Sequence, residues 1–99
     1  MPDATKPLLV FFCSERSGPA RRMESLLAHL ARKERTRLVV KHVDIEKRPE
    51  IAERFKVEQA PALVLVKDKR VVARLDGRVS APKIERMLEP FLAAEVAAA

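Results

Sequence analysis

The chain has 99 residues, of which 47% are hydrophobic and 34% charged, and its formal net charge is +6. This length and balance predict one globular domain over residues 1–99 and exclude a disordered chain. No apolar run reaches the ~18 residues of a membrane-spanning helix. The first residues lack the apolar stretch of a signal peptide and the chain has one cysteine, so the sequence predicts a cytoplasmic protein.

The first half of the chain predicts two strands and two helices. A continuous apolar run over 8–13 is typical of a strand that is buried on both faces. Apolar residues then recur at helical spacing from 19 to 35, with Pro19 in the first turn. Residues 38–45 are rich in β-branched and apolar side chains and predict a second strand, and Arg48-Pro49 begins a short second helix.

The second half predicts a hairpin and a last helix. A buried strand over 62–66 and another over 71–75 are joined by the polar turn 67–70. Pro90 lies inside the apolar pattern of the last helix and predicts a kink or an early end, because proline lacks a backbone donor. The order is β-α-β-α-β-β-α, an α/β fold with a four-stranded mixed sheet and helices on both faces.

Four short motifs occur in an order that resembles one known family. They are Ser17-Gly18-Pro19-Ala20 at the start of the first helix, Val43-Asp44-Ile45 at the end of the second strand, Gln59-Ala60-Pro61-Ala62-Leu63 at the start of the third, and Asp76-Gly77-Arg78 after the fourth. Together they resemble the thioredoxin family over about residues 6–93. The resemblance implies the thioredoxin fold and a cis peptide bond before Pro61.

The resemblance also implies that the redox apparatus of the family is missing here. Ser17 and Ala20 occupy the two cysteine positions of the family's Cys-Gly-Pro-Cys turn, and neither supplies a thiolate at neutral pH. Arg16 stands at the family's tryptophan position. Phe11 stands at that of a buried acid, whose partner lysine corresponds to Lys41. Dithiol–disulfide exchange through this turn is therefore not expected.

The retained motifs predict a redox-inactive module that binds a protein or peptide partner. The resemblance implies a groove in which an extended peptide pairs with the backbone beside the cis-proline, lined by Ala60, Pro61 and Gly77. Several arginines would surround this groove, and they either favour an acidic partner or form a solvated rim. They are Arg16, Arg21, Arg22, Arg74 and Arg78. Ser17 either caps the first helix or hydrogen-bonds a ligand.

Cys13 carries the alternative function, a monothiol redox protein or thiol sensor. Strand alternation places it on the same face as Phe11, at the end of the first strand. It is either a buried, inert thiol or a reactive one whose pKa is lowered by the nearby arginines and the start of the first helix. Either way, dithiol oxidoreductase activity is not expected.

Nucleic-acid binding through the basic surface is the least favoured function. All four aromatic residues are phenylalanines at positions typical of a core, which leaves none to stack on bases. His29, His42 and Cys13 lie on different predicted elements, so no metal site is predicted. No cofactor is predicted either, and the oligomeric state stays open.

Overall fold

A four-stranded mixed sheet forms the centre of the protein, in a computed structural model that describes residues 6–14 and 18–98. The strands are β1 (Leu8–Cys13), β2 (Val39–Asp44), β3 (Ala62–Lys67) and β4 (Arg70–Asp76), in the order β2-β1-β3-β4. The helices are α1 (Gly18–Lys33), α2 (Pro49–Arg54) and α3 (Ala81–Ala98). This arrangement confirms the predicted fold class.

The two central strands are the most apolar segments of the chain. Residues 9–12 of β1 and 62–65 of β3 are each at most 4% exposed. A strand that is covered on both faces needs apolar side chains at consecutive positions, and each fully buried Leu or Phe contributes about 1.5–3 kcal/mol. β1 pairs parallel with β2 and antiparallel with β3. The C-terminal end of β1 therefore lies beside the N-terminal end of β3.

Side-chain alternation along β1 divides the core into two layers. One layer contains Leu9 and Phe11 and packs against α1 and α3, and the other contains Val10 and Phe12 and packs against α2. Helices therefore cover both faces of the sheet, as the apolar central strands require. All four phenylalanines lie in these two layers, in agreement with their predicted core positions.

The predicted hairpin of β3 and β4 turns through two residues, Asp68 and Lys69. Both have a positive φ, of 54° and 66°. Two-residue hairpin turns commonly require positive φ, and glycine or asparagine adopts it at lower cost than other residues. The turn therefore keeps two charged side chains at positions where the backbone favours smaller ones.

A β-bulge follows the turn in β4. The register pairs Leu65 with Ala73 but Val66 with Val71, so Val72 is an extra residue without a partner on β3. The bulge breaks the regular alternation of side chains between the two faces. As a result two consecutive valines are exposed, Val71 by 51% and Val72 by 39%.

Helix α3 continues past Pro90 as far as Ala98, so the predicted early end is wrong. Proline removes one amide donor, and the carbonyl that loses its partner belongs to Arg86, one turn earlier. Both residues are exposed. Solvent on this side of the helix can satisfy that carbonyl, which is why the apolar face of α3 persists through the proline.

Candidate functional site

Ala60, Pro61 and Gly77 form the candidate groove, at the end of the sheet where β1 stops and β3 begins. Phe12 of β1 pairs with Ala62 of β3 at this end. The Gly77 N–H donates to the Pro61 carbonyl at 2.8 Å. Two of the groove residues predicted from sequence are therefore joined directly, although they are far apart in the chain.

The candidate groove is open on its outer side. Gly77 is exposed with a φ of +81°, and no atom lies within 4 Å of the position that a Cβ would take there. Pro61 is buried, Ala60 is half-buried, and the peptide bond between them is cis. Ala60 makes no backbone hydrogen bond to another residue of the described ranges. Its N–H and C=O therefore have no backbone partner in that part of the chain.

The start of α1 lies at the same end of the sheet, because α1 begins at Gly18, five residues after β1 ends at Cys13. α1 begins at Gly18, which is exposed, and its first turn contains no acidic residue. Five of the predicted site residues fall outside the described part of the chain, wholly or in their side chains. They are Arg16, Ser17, Pro19, Ala20 and Arg21.

Cys13 is a half-buried thiol at the C-terminal end of β1. Its Sγ lies 3.5 Å from the Val43 carbonyl, and its own carbonyl accepts the Ile45 N–H at 3.0 Å. Burial raises the pKa of the Cys13 thiol, and the negative charges of Asp44 and Glu24 raise it further. In the described residues the arginines do not lower this pKa, so the predicted activation of Cys13 finds no support there.

Asp44 organises the polar segment beside Cys13, a role that sequence reasoning missed. Asp44 Oδ1 accepts the backbone N–H groups of Glu46 at 2.8 Å and Lys47 at 3.2 Å. Ser14 Oγ donates to Glu46 Oε1 at 2.9 Å. An Asp followed by a polar stretch is a signal for such a turn, because its short carboxylate reaches the amides two and three residues on.

Arg74 has a structural role that differs from the predicted rim. Its guanidinium donates to the carbonyls of Phe55 at 3.2 Å and Lys56 at 3.4 Å, and to Asp76 Oδ1 at 3.0 Å. Those two carbonyls lie at the C-terminal end of α2, where a cation is favourable. Arg74 therefore holds the end of α2 against β4. Arg22 and Arg78 are exposed and stay candidates for the rim.

Phe11 is fully buried and contacts an aromatic ring rather than a lysine. Its ring centroid lies 5.5 Å from that of His42, the residue with which it pairs across β1 and β2. Lys41 pairs with Val10, whose side chain packs in the opposite core layer. The predicted correspondence of Lys41 with a lysine facing the Phe11 position is therefore wrong, because the register places these side chains on opposite faces.

Neither a metal-binding cluster nor a membrane-spanning helix occurs in the described ranges, 6–14 and 18–98. No cluster of three or more His, Cys, Asp or Glu residues there has the geometry to hold a metal ion. No helix in these ranges is both long enough and apolar enough to cross a membrane.

Comparison with known proteins gives consistent matches. The family model described as Thioredoxin matches residues 1–90. Thioredoxin-1 of Drosophila yakuba is 36% identical over 72 residues, which are 73% of this chain and 67% of that protein. A thioredoxin-like protein of Synechocystis is 32% identical over 88 residues, 89% of this chain and 81% of that one. The crystal structure of Deadhead, a germline-specific thioredoxin of Drosophila melanogaster, superposes with a TM-score of 0.80 at 31% identity, covering 87% of this chain and 81% of that one.

Proposed function

The chain belongs to the thioredoxin family, and we propose that it is a redox-inactive member that binds a protein or peptide partner. The observation that carries this proposal is the position of its single cysteine. Cys13 lies on β1 and not in the turn that opens α1, where Ser17 and Ala20 correspond to the family's cysteines. A dithiol exchange needs a second thiol to release the mixed disulfide, and this chain has none.

The binding role is supported by the candidate groove. Ala60 has no backbone partner in the described residues, and Gly77 beside it carries no side chain that would fill the space. An extended peptide can add to such an edge by backbone hydrogen bonds, as strands add to sheets. This mode of binding uses no thiol, so it survives the loss of the cysteines.

The partner that we propose is acidic near the groove. Arg22 and Arg78 are exposed, and neither takes part in an ion pair in the described residues. Cations at the rim of an interface favour an acidic partner and speed its association. We keep a cytoplasmic location as part of the proposal, because a chain with one cysteine forms no internal disulfide and requires no oxidising compartment.

The alternative, a monothiol role for Cys13, has less support. A reactive thiol needs a lowered pKa and access to its target. Burial and two neighbouring carboxylates act on the pKa of Cys13 in the opposite direction. The thiol therefore has a smaller thiolate fraction at neutral pH than an exposed cysteine.

A peptide selection followed by NMR tests the binding role. Peptides are selected on the whole chain from a random display library, and the tightest is titrated into ¹⁵N-labelled protein. We expect the amide shifts of Ala60, Gly77 and Gly18 to change most, because backbone pairing acts on amides at the site. Shifts confined to residues away from this end of the sheet would contradict the proposal.

N-methylated versions of the selected peptide supply the control. Along a paired strand, successive N–H groups point in opposite directions, so only alternate ones bond to the protein. Methylation of the alternate N–H groups that face the protein should abolish binding, and methylation of the other set should leave binding unchanged. Equal loss of binding for both sets, or no loss for either, would argue against strand-like pairing.

A further inference from the structure

The start of β4 presents an exposed, basic and apolar surface, which we call the hairpin tip: Lys69, Arg70, Val71 and Val72. Lys69 and Arg70 are exposed, and neither takes part in an ion pair in the described residues. The bulge leaves both valines exposed beside them. Lys69 also keeps a positive φ of 66°.

A groove lies between the C-terminal end of α1 and the middle of α3, and we call it the helix groove. Its volume is about 230 Å³. Its floor is apolar and its walls are mostly acidic. The floor consists of Leu30, Leu88 and Leu92, and the walls include Glu34, Glu85 and Glu89. A concave apolar floor with few, well-placed charges is the usual form of a binding site.

The charges of the helix groove are only partly neutralised within the chain. Glu34 pairs with Arg37, which also lines the groove, and Glu85 pairs with Lys33 at 3.3 Å. The second pair is exposed and therefore weak. Glu89 is exposed, and no ion pair in the described part of the chain involves it. The groove thus offers Glu89, and to a lesser degree Glu85, to a cation.

We propose that the helix groove of one copy of this chain binds the hairpin tip of a second copy. The tip is convex, basic and apolar, and the groove is concave, acidic and apolar. In this contact Lys69 and Arg70 face Glu85 and Glu89, and Val71 lies over the two floor leucines that keep some exposed surface. Opposite charges around an apolar centre give both attraction and a defined orientation.

Edge-to-edge pairing of two β4 strands is a weaker explanation for the exposed valines. An unprotected edge strand pairs with a second copy through a regular backbone ladder. Here the bulge at Val72 interrupts that ladder, and Lys69 and Arg70 would repel their counterparts if they met. Burial of the tip in the helix groove avoids both problems.

This contact is independent of the proposed peptide binding. β3 spans six residues from Ala62 to Lys67, so the hairpin tip lies about 17–20 Å from Pro61. The helix groove lies toward the same end of the sheet as the tip, because α1 ends just before β2 begins. Association of this kind would leave the candidate groove open to its own partner.

Sedimentation velocity on the full chain tests the proposal with two variants. The tip variant is Lys69→Glu/Arg70→Glu, and the groove variant is Glu85→Gln/Glu89→Gln. We expect wild-type protein to associate with a dissociation constant at or below about 1 mM, and each variant to weaken this by about tenfold or more. An equimolar mixture of the two variants should regain association, because it contains one intact tip and one intact groove.

Matched variants on α2 control for net charge and for folding. Arg48→Glu/Arg54→Glu changes the net charge as the tip variant does, and Glu50→Gln/Glu53→Gln matches the groove variant. All four positions are exposed, and both controls should associate as wild type does. Three results would overturn the proposal: a monomeric wild type at about 1 mM, a groove variant that associates normally, or a mixture that stays monomeric. The second of these would point to edge pairing instead.

Discussion

Residues with positive φ flank β4 on both sides, and the two sides use different residue types for it. Beside the candidate groove the residue is Gly77, with a φ of 81°. At the hairpin turn the residues are Asp68 and Lys69. A left-handed conformation costs a residue with a side chain roughly 1–2 kcal/mol, and glycine almost nothing. The side of β4 next to the candidate groove therefore keeps open space at little conformational cost. The hairpin turn keeps two charged side chains at a higher conformational cost.

The largest loss of stability is expected from a change at Phe11, in the buried core. Phe11→Asp introduces an acid at the position where the family resemblance places one. We expect a loss of about 3–5 kcal/mol, because Phe11 is fully buried and faces His42 and leucines rather than a lysine. Urea unfolding measures it, with Phe11→Leu as the control. Equal losses for both variants would show that the site accommodates an acid.

A smaller effect is expected from the residue that ties α2 to β4. Arg74→Met removes the donors to the Phe55 and Lys56 carbonyls and should cost about 1 kcal/mol. Arg78→Met removes an equal charge at an exposed position that makes no side-chain hydrogen bond within the described residues, and should cost less than ~0.5 kcal/mol. The denaturant midpoints of the two variants are compared with that of the wild type. If Arg78→Met costs as much, the role assigned to Arg74 is wrong.

Exchanges to and from glycine on the two sides of β4 test the difference in conformational cost directly. Gly77→Ala should cost about 1 kcal/mol from backbone strain alone, since a Cβ meets no atom there. Lys69→Gly should stabilise by about 0.5 kcal/mol, as relief of strain outweighs the added freedom of the unfolded chain. Thermal unfolding of both variants measures these two changes in stability. The same sign for both changes would contradict the account.

The smallest effect is a pH dependence at Cys13. Its pKa is raised above the ordinary value of 9.0, so the folded state favours the neutral thiol. The resulting stability is fully present below the unfolded pKa and is lost as the pH rises through the folded pKa. Wild type should therefore lose stability relative to Cys13→Ala above about pH 9. If the stabilities of the two proteins change in parallel with pH, the pKa of the Cys13 thiol is not raised by folding.

The fold was predictable because its signals are local. The apolar runs of β1 and β3 and the helical spacing in α1 depend on residues within one element. The end of α3 was not predictable, because part of the cost of a proline inside a helix is a lost hydrogen bond, and that part depends on whether the freed carbonyl has another partner. At Pro90 that carbonyl lies on the solvent side.

The site was predictable only in part, because its details depend on register and on contacts between distant segments. Pro61 and Gly77 could be matched by motif, and they are joined. The face of Lys41 depends on the pairing of β1 with β2, which a run of β-branched residues does not fix. Arg74 reaches α2 across 18 and 19 residues of sequence, and no local pattern indicates that.

Insulin reduction with dithiothreitol as the electron source separates a redox-inactive chain from a working oxidoreductase. We expect wild-type protein to precipitate insulin no faster than buffer alone or the Cys13→Ser variant, because the chain has one thiol and burial raises its pKa. Catalysed reduction by wild type that disappears in Cys13→Ser would overturn the proposed redox inactivity and assign a redox role to Cys13.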